Sequence, residues 1–203
     1  SGYKVDTSQP GKIVLARDLV SAGSLDFAAT AHRPTGFGIV GTEVWSFIGR
    51  DVYSLTFATN AWVQGTVPEA AAKIYRNGVS FENNVYAPAW VQATNLPDTY
   101  IYKADADANW TLSTLANSDC KYMAVAGSLM YGANWSDGVN RLRTSADPTN
   151  AGGWSGAYEV GGTDAEITAL VPYGDLMLIC KADGIYTLEA DGTVKNRTPE
   201  YED

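Results

Sequence analysis

Six residues, DADANW (105–110), put two aspartates, an asparagine and a tryptophan side by side. Asp105, Asp107 and Asn109 alternate, as the first three oxygen donors of a calcium loop do. Trp110, however, stands where an EF-hand loop requires glycine, and no glutamate follows six residues later. The expected reading is a turn between two strands, with Asp105 accepting backbone N–H bonds. Ca2+ at Asp105, Asp107 and Asn109 is the lesser alternative, and no other cofactor is expected.

A second set of residues could do recognition chemistry. The stretches WVQATNLPD (90–98) and NWSDGVN (134–140) place Trp90 and Trp135 among Gln92, Asn95, Asn134 and Asp137. An exposed indole flanked by amides and a carboxylate suits a sugar, whose C–H face packs on the ring while its hydroxyls pair with the polar groups. These six residues are the candidate ligand site. The alternative is that both indoles are core. Catalytic constellations are harder to find. His32 is the single histidine, so any Ser-His-Asp or Cys-His site would have to use it. The pair of carboxylates that a glycosidase needs is not singled out by spacing. No catalytic residue is assigned.

The elements that must position these residues repeat. EITALVPY (166–173), DLMLICKAD (175–183), GIYTLEAD (184–191) and TVKNRT (193–198) read as strands joined by Gly/Asp turns. The same order occurs at 121–162 and at 72–116, and more weakly at 35–68. Each fourth strand opens on Trp62, Trp110, Trp154 or Val194, spaced 48, 44 and 40 residues apart. A period near ~44 with four strands per unit is the signature of β-propeller blades. The expected fold is an all-β propeller of four-stranded antiparallel blades, four to five in number. It is read as one domain over 1–203, with repeats at 33–70, 71–118, 119–162 and 163–200. Residues 1–32, including KIVLARDLV (12–20), are expected to form a partial blade or a closing segment. The chain is also read as a piece of a larger propeller, whose blade edges would need a partner. PEAAAKIY (68–75) is the one segment that suggests a helical turn.

Composition agrees. The chain has 203 residues, with 12 Tyr, 6 Trp and 20 Gly, which favours strands and tight turns. The formal net charge of −9 argues against nucleic acid and anionic membrane surfaces. Cys120 and Cys180 lie in apolar runs and are expected as small core residues.

The third-to-fourth-strand hairpins share a pattern: a small residue, an aspartate, turn residues, then an aromatic. KADADANW (103–110) and SADPTNAGGW (145–154) carry it, and EADGTV (189–194) keeps the aspartate. It resembles a degenerate form of the Asp-box hairpin of sialidase-like propellers, Ser-x-Asp-x-Gly-x-Thr-Trp. That resemblance gives Asp105, Asp147 and Asp191 a turn role, and Trp62, Trp110 and Trp154 a place between blades. Sialidase chemistry would need an arginine cluster, and the seven arginines are scattered; Arg141 and Arg143 alternate on one strand without an evident third partner. From about residue 72 onward the chain is similar to uncharacterised propeller proteins of tailed bacteriophages and metagenomes. The shared elements are the Ser-x-Asp-Pro turn, Trp-Ser, Val-Gly, Ile-Thr-x-Leu, Lys-x-Asp-Gly-x-Tyr and Thr-Pro-Glu, all present within 143–200. The resemblance implies a non-enzymatic virion structural or host-recognition module, located in the virion. Its expected partners are other propeller blades or copies of itself, and glycans. A lectin-like propeller of cellular origin is the alternative, and a glycoside hydrolase the third reading.

Overall fold

The computed structural model describes residues 34–198, apart from 57, 59–60, 69–72, 116–117 and 151. The segment KIVLARDLV, His32 and the centre of the expected helical turn lie outside the described residues; Lys73–Tyr75, at the end of that turn, is strand.

The described chain forms four antiparallel sheets, one per repeat. The first is β1 (Pro34–Val40), β2 (Glu43–Ile48), β3 (Asp51–Thr56) and β4 (Ala61–Gly65). The second contains β5 (Lys73–Tyr75), β6 (Val79–Phe81), β7 (Asn84–Val91), β8 (Pro97–Ala104) and β9 (Thr111–Leu112). The third is β10 (Cys120–Ala126), β11 (Leu129–Trp135), β12 (Gly138–Ser145) and β13 (Tyr158–Glu159). The fourth is β14 (Ile167–Tyr173), β15 (Leu176–Lys181), β16 (Gly184–Leu188) and β17 (Val194–Asn196). Each sheet is a meander in chain order, as short Gly/Asp turns require.

The second sheet departs from this plan for a local reason. β5 and β6 both pair with β7, as two halves of one first strand. Between them the chain bulges at Arg76–Gly78, opposite Pro88. Pro88 has no N–H to give to either ladder. The β7–β8 register also shifts between Ala87 and Ala89, around the same proline. Asn77 takes a left-handed φ of 49° in the bulge.

The sheets stack face to face, and their first strands adjoin: β1 with β6, β6 with β10, and β10 with β14. Three apolar layers fill the gaps. Val40, Trp45, Phe47 and Val52 of the first sheet meet Tyr75, Val85, Ile101 and Trp110 of the second. Phe81, Tyr86 and Tyr100 meet Met123, Met130, Trp135 and Trp154. Ala124, Tyr131, Ala133 and Leu142 meet Ile167, Met177, Ile179 and Tyr186. Two buried lysines bridge neighbouring sheets: Lys103 to Glu43 (3.6 Å) and Lys121 to Glu166 (3.2 Å). No helix among the described residues is long and apolar enough to cross a membrane.

Candidate functional site

The structure moves both candidate tryptophans out of the loops and into the core. Trp90 is the seventh residue of β7 and Trp135 the last of β11. Their exposures are 8% and 1%, so neither is the expected sugar platform. The cause is the stacking, which covers both faces of a middle strand. Trp90 Nε1 donates to the Lys121 carbonyl (2.8 Å), and Tyr122 packs edge-on against its ring at 5.8 Å. Trp135 Nε1 donates to the Gly132 carbonyl (2.9 Å), and its ring meets Trp154 edge-on at 5.0 Å.

The polar members of the set also separate. Gln92 and Asn95 are exposed in the β7–β8 turn, where Asn95 adopts φ 56°. Asn134 is fully buried, contrary to its expected role on a surface. It sits at a register shift of β11 with φ 59°, which turns its amide toward the fourth sheet. There Nδ2 donates to Glu166 (2.9 Å) and to the Ile167 carbonyl (3.3 Å). Asp137 is engaged by Arg143 (2.7 Å) and by Arg141. One carboxylate thus engages both members of the alternating arginine pair.

The hairpin residues do structural work. Asp147 accepts from the backbone N–H and hydroxyl of Thr149, and Asp191 from the Thr193 N–H. Trp110 stands edge-on to Trp45 (5.2 Å) and Phe47 (5.6 Å), between the first and second sheets. Trp154 packs on Tyr100 of the preceding sheet and donates to its hydroxyl at 3.1 Å. Burial is the main reason the Tyr100 phenol is pushed up to about 12. Trp62, by contrast, is only half-buried in β4. Asp105, Asp107 and Asn109 are all exposed, and among the described residues no three His, Cys, Asp or Glu side chains group to hold a metal ion. Cys120 is buried as expected, and burial holds its thiol well above its usual range; Cys180 is only half-buried.

Two features were missed by sequence reasoning. One is a cleft of about 280 Å3 among the first strands, lined by Asn77, Tyr122, Met123, Thr168, Ala169 and Leu170. Beside it, the Arg76 guanidinium lies over Trp90 (4.5 Å) and Lys121 Nζ approaches the same ring (4.9 Å). Glu166 is held below the usual carboxylate range, first by the Asn134 hydrogen bond and then by Lys121, against the opposing effect of burial. The Arg-Asn-Gly triplet was the available signal, since Asn-Gly marks a turn rather than a strand interior.

The other feature is the outer face of the fourth sheet. Val171, Tyr173, Leu176 and Ile185 are 44%, 70%, 47% and 40% exposed. Ladder pairing puts Val171 with Leu178, Tyr173 with Leu176 and Cys180 with Ile185, so all lie on one side. The third sheet uses the matching positions to hold the fourth: Ala124 with Tyr131, Ala126 with Leu129 and Ala133 with Leu142. Position for position, the fourth sheet presents the kind of face that elsewhere in the molecule is covered.

Four stacked antiparallel meanders with adjoining first strands define a β-propeller, and the comparisons agree. The chain is similar to virginiamycin B lyase from Staphylococcus aureus, solved as a catalytically inactive variant with quinupristin (TM-score 0.59, 10% identity, covering 83% of this chain and 56% of that one). It is also similar to the computationally designed protein Ika4 (TM-score 0.53, 16% identity, 86% and 94%) and to the extracellular domain of a protein described as a one-component system from B. thetaiotaomicron (TM-score 0.54, 11% identity, 79% and 22%). The chain thus spans nearly all of one neighbour and about half or less of the other two. No protein-family model and no curated protein matches it.

Proposed function

We propose that this chain is a non-enzymatic propeller module of the phage type, which serves structure or host recognition by joining its blades to those of another subunit. The observation that carries this reading is the open apolar face of the fourth sheet, Val171, Tyr173, Leu176 and Ile185. Monomer surfaces rarely leave a contiguous apolar face of this kind uncovered. Its occupant is a blade of a second copy. At the other end of the stack, Phe37 and Ile39 of β1 are 50% and 47% exposed. Ile48 and Leu55, on the same side, are already buried, so the edge with Phe37 and Ile39 is the accessible counter-surface.

The test is the solution mass across a concentration series, by light scattering after gel filtration. Wild-type protein is expected to associate. Tyr173→Asp, at a position 70% exposed, is expected to remain monomeric with unchanged melting. A monomeric wild type at every concentration would overturn the proposal.

A further inference from the structure

We propose that the cleft between β10, β14 and the Arg76–Gly78 bulge binds a single neutral pyranose ring, held by the free edges of the two strands together with Asn77, Tyr122 and Thr168. Of the lining residues, Tyr122 and Met123 are consecutive in β10, and Thr168, Ala169 and Leu170 are consecutive in β14. Neighbouring residues of a strand point to opposite faces. A cleft that touches all five therefore looks onto the strand edges rather than onto a sheet face. Both edges are free of a ladder, since β10 pairs only with β11 and β14 only with β15.

The backbone of both edges is turned toward a guest. The Lys121 carbonyl accepts from Trp90 Nε1 (2.8 Å), so it points away from β11. In an antiparallel ladder this direction alternates, and Met123, two residues on, turns its N–H and C=O to the same free edge. On β14, Pro172 fixes the alternation. A strand proline sits with its missing N–H on the unpaired side. Leu170, two residues back in an unbroken register, therefore turns its N–H and C=O outward as well. The same proline has no N–H to give an added peptide strand, which favours a small ligand over a polypeptide.

The side chains fit a neutral sugar. No charged side chain is among the lining residues. Lys121 and Glu166 pair with each other at 3.2 Å, and the Arg76 guanidinium is spent on the Trp90 ring at 4.5 Å. An ion entering the cleft would lose water without gaining a partner. The Tyr122 phenol has no hydrogen-bond partner among the described residues, and burial, the largest effect on it, keeps it protonated as a donor. Asn77 is exposed at the bulge, and its amide both donates and accepts. Thr168 gives its hydroxyl proton to the Cys180 carbonyl (3.1 Å), which leaves the oxygen to accept. Met123, Ala169 and Leu170 supply apolar surface for ring C–H groups. A volume of about 280 Å3 is at the small end of the ~300–1,000 Å3 range of ligand pockets, which fits one ring rather than a long chain.

The experiment titrates the whole chain with methyl glucoside, methyl galactoside, methyl glucuronide and cyclohexylmethanol, observed by ligand NMR. At least one of the two neutral glycosides should bind with a Kd of roughly 1–10 mM, and the glucuronide and the alcohol about tenfold more weakly or worse. Tyr122→Phe keeps the ring against Trp90, and Asn77→Asp keeps a residue type that tolerates the left-handed φ of 49°. Each should weaken glycoside binding about three- to tenfold at unchanged melting. The Tyr173→Asp chain should bind like wild type, which separates this test from that of association; loss of binding in it would place the sugar between copies and overturn the cleft. Glucuronide binding as tightly as the neutral glycosides would overturn the neutral ligand, and cyclohexylmethanol doing so would overturn hydroxyl recognition. Binding untouched by both Tyr122→Phe and Asn77→Asp, or silence up to roughly 50 mM, would overturn the assignment as a whole.

Discussion

Replacing Trp135 with alanine tests the stacking directly. The side chain is 1% exposed, its N–H bonds the Gly132 carbonyl at 2.9 Å, and its ring meets Trp154 at 5.0 Å and 74°. The Arg143 guanidinium, itself buried, sits 5.4 Å from the ring centre. Truncating a buried tryptophan costs about 3–5 kcal/mol. The ring pair and the cation contact are worth roughly 0.5–1.5 and about 0.5–1 kcal/mol respectively, which puts the expected loss at the upper end of that range. Trp135→Phe retains the ring pair and should lose about 1–2 kcal/mol. Urea unfolding followed by tryptophan fluorescence and circular dichroism is the assay, with coincident curves required before a free energy is extracted. For a domain of this size the alanine variant should melt roughly 8–20 °C lower. A loss under ~1 kcal/mol would mean that Trp135 is exposed in solution, and would refute the inter-sheet packing on which the correction of the sugar platform rests.

Two further outcomes follow from particular contacts. Gly78→Ala would place a Cβ 1.8 Å from Phe47 Cε2, so the first and second sheets must part; chemical denaturation should show a loss of about 1–3 kcal/mol. Glu166 has a lowered pKa in the folded protein, so its contribution is present above the unfolded value and disappears as pH falls through the folded one. Melting temperatures between roughly pH 5 and pH 3 should therefore fall less steeply in Glu166→Gln than in wild type.

The repeat was legible because turn chemistry and strand length recur locally. Trp62, Trp110, Trp154 and Val194 mark the four fourth strands in the sequence: Trp62 and Val194 lie in β4 and β17, Trp110 immediately precedes β9, and Trp154 bridges Ser145 four residues before β13. The inward placement of Trp110 and Trp154 was legible for the same reason. Trp90 and Trp135 were not. In NVYAPAWV and LMYGANW nearly every residue is buried, on both faces, so no alternation separates an inward from an outward side chain. Arg76 was hidden by a different cause. KIYRNGVSF reads as one strand, and what breaks it is Pro88, whose missing N–H matters only once the strands are paired. The open face of the fourth sheet is a property of stacking order, and its residues look like any other core strand.

That face has a directional consequence. The surface carrying Tyr173 and the edge carrying Phe37 are different patches at opposite ends of the stack. A contact between them is heterologous, so it cannot be satisfied mutually by a two-fold pair at one interface. If copies join as proposed, each would use one end and present another, and growth would stop only where the rotation per copy closes a ring and would otherwise run on as a polar filament. The distribution of masses, a single closed species or an open ladder, would therefore report the angle between successive copies.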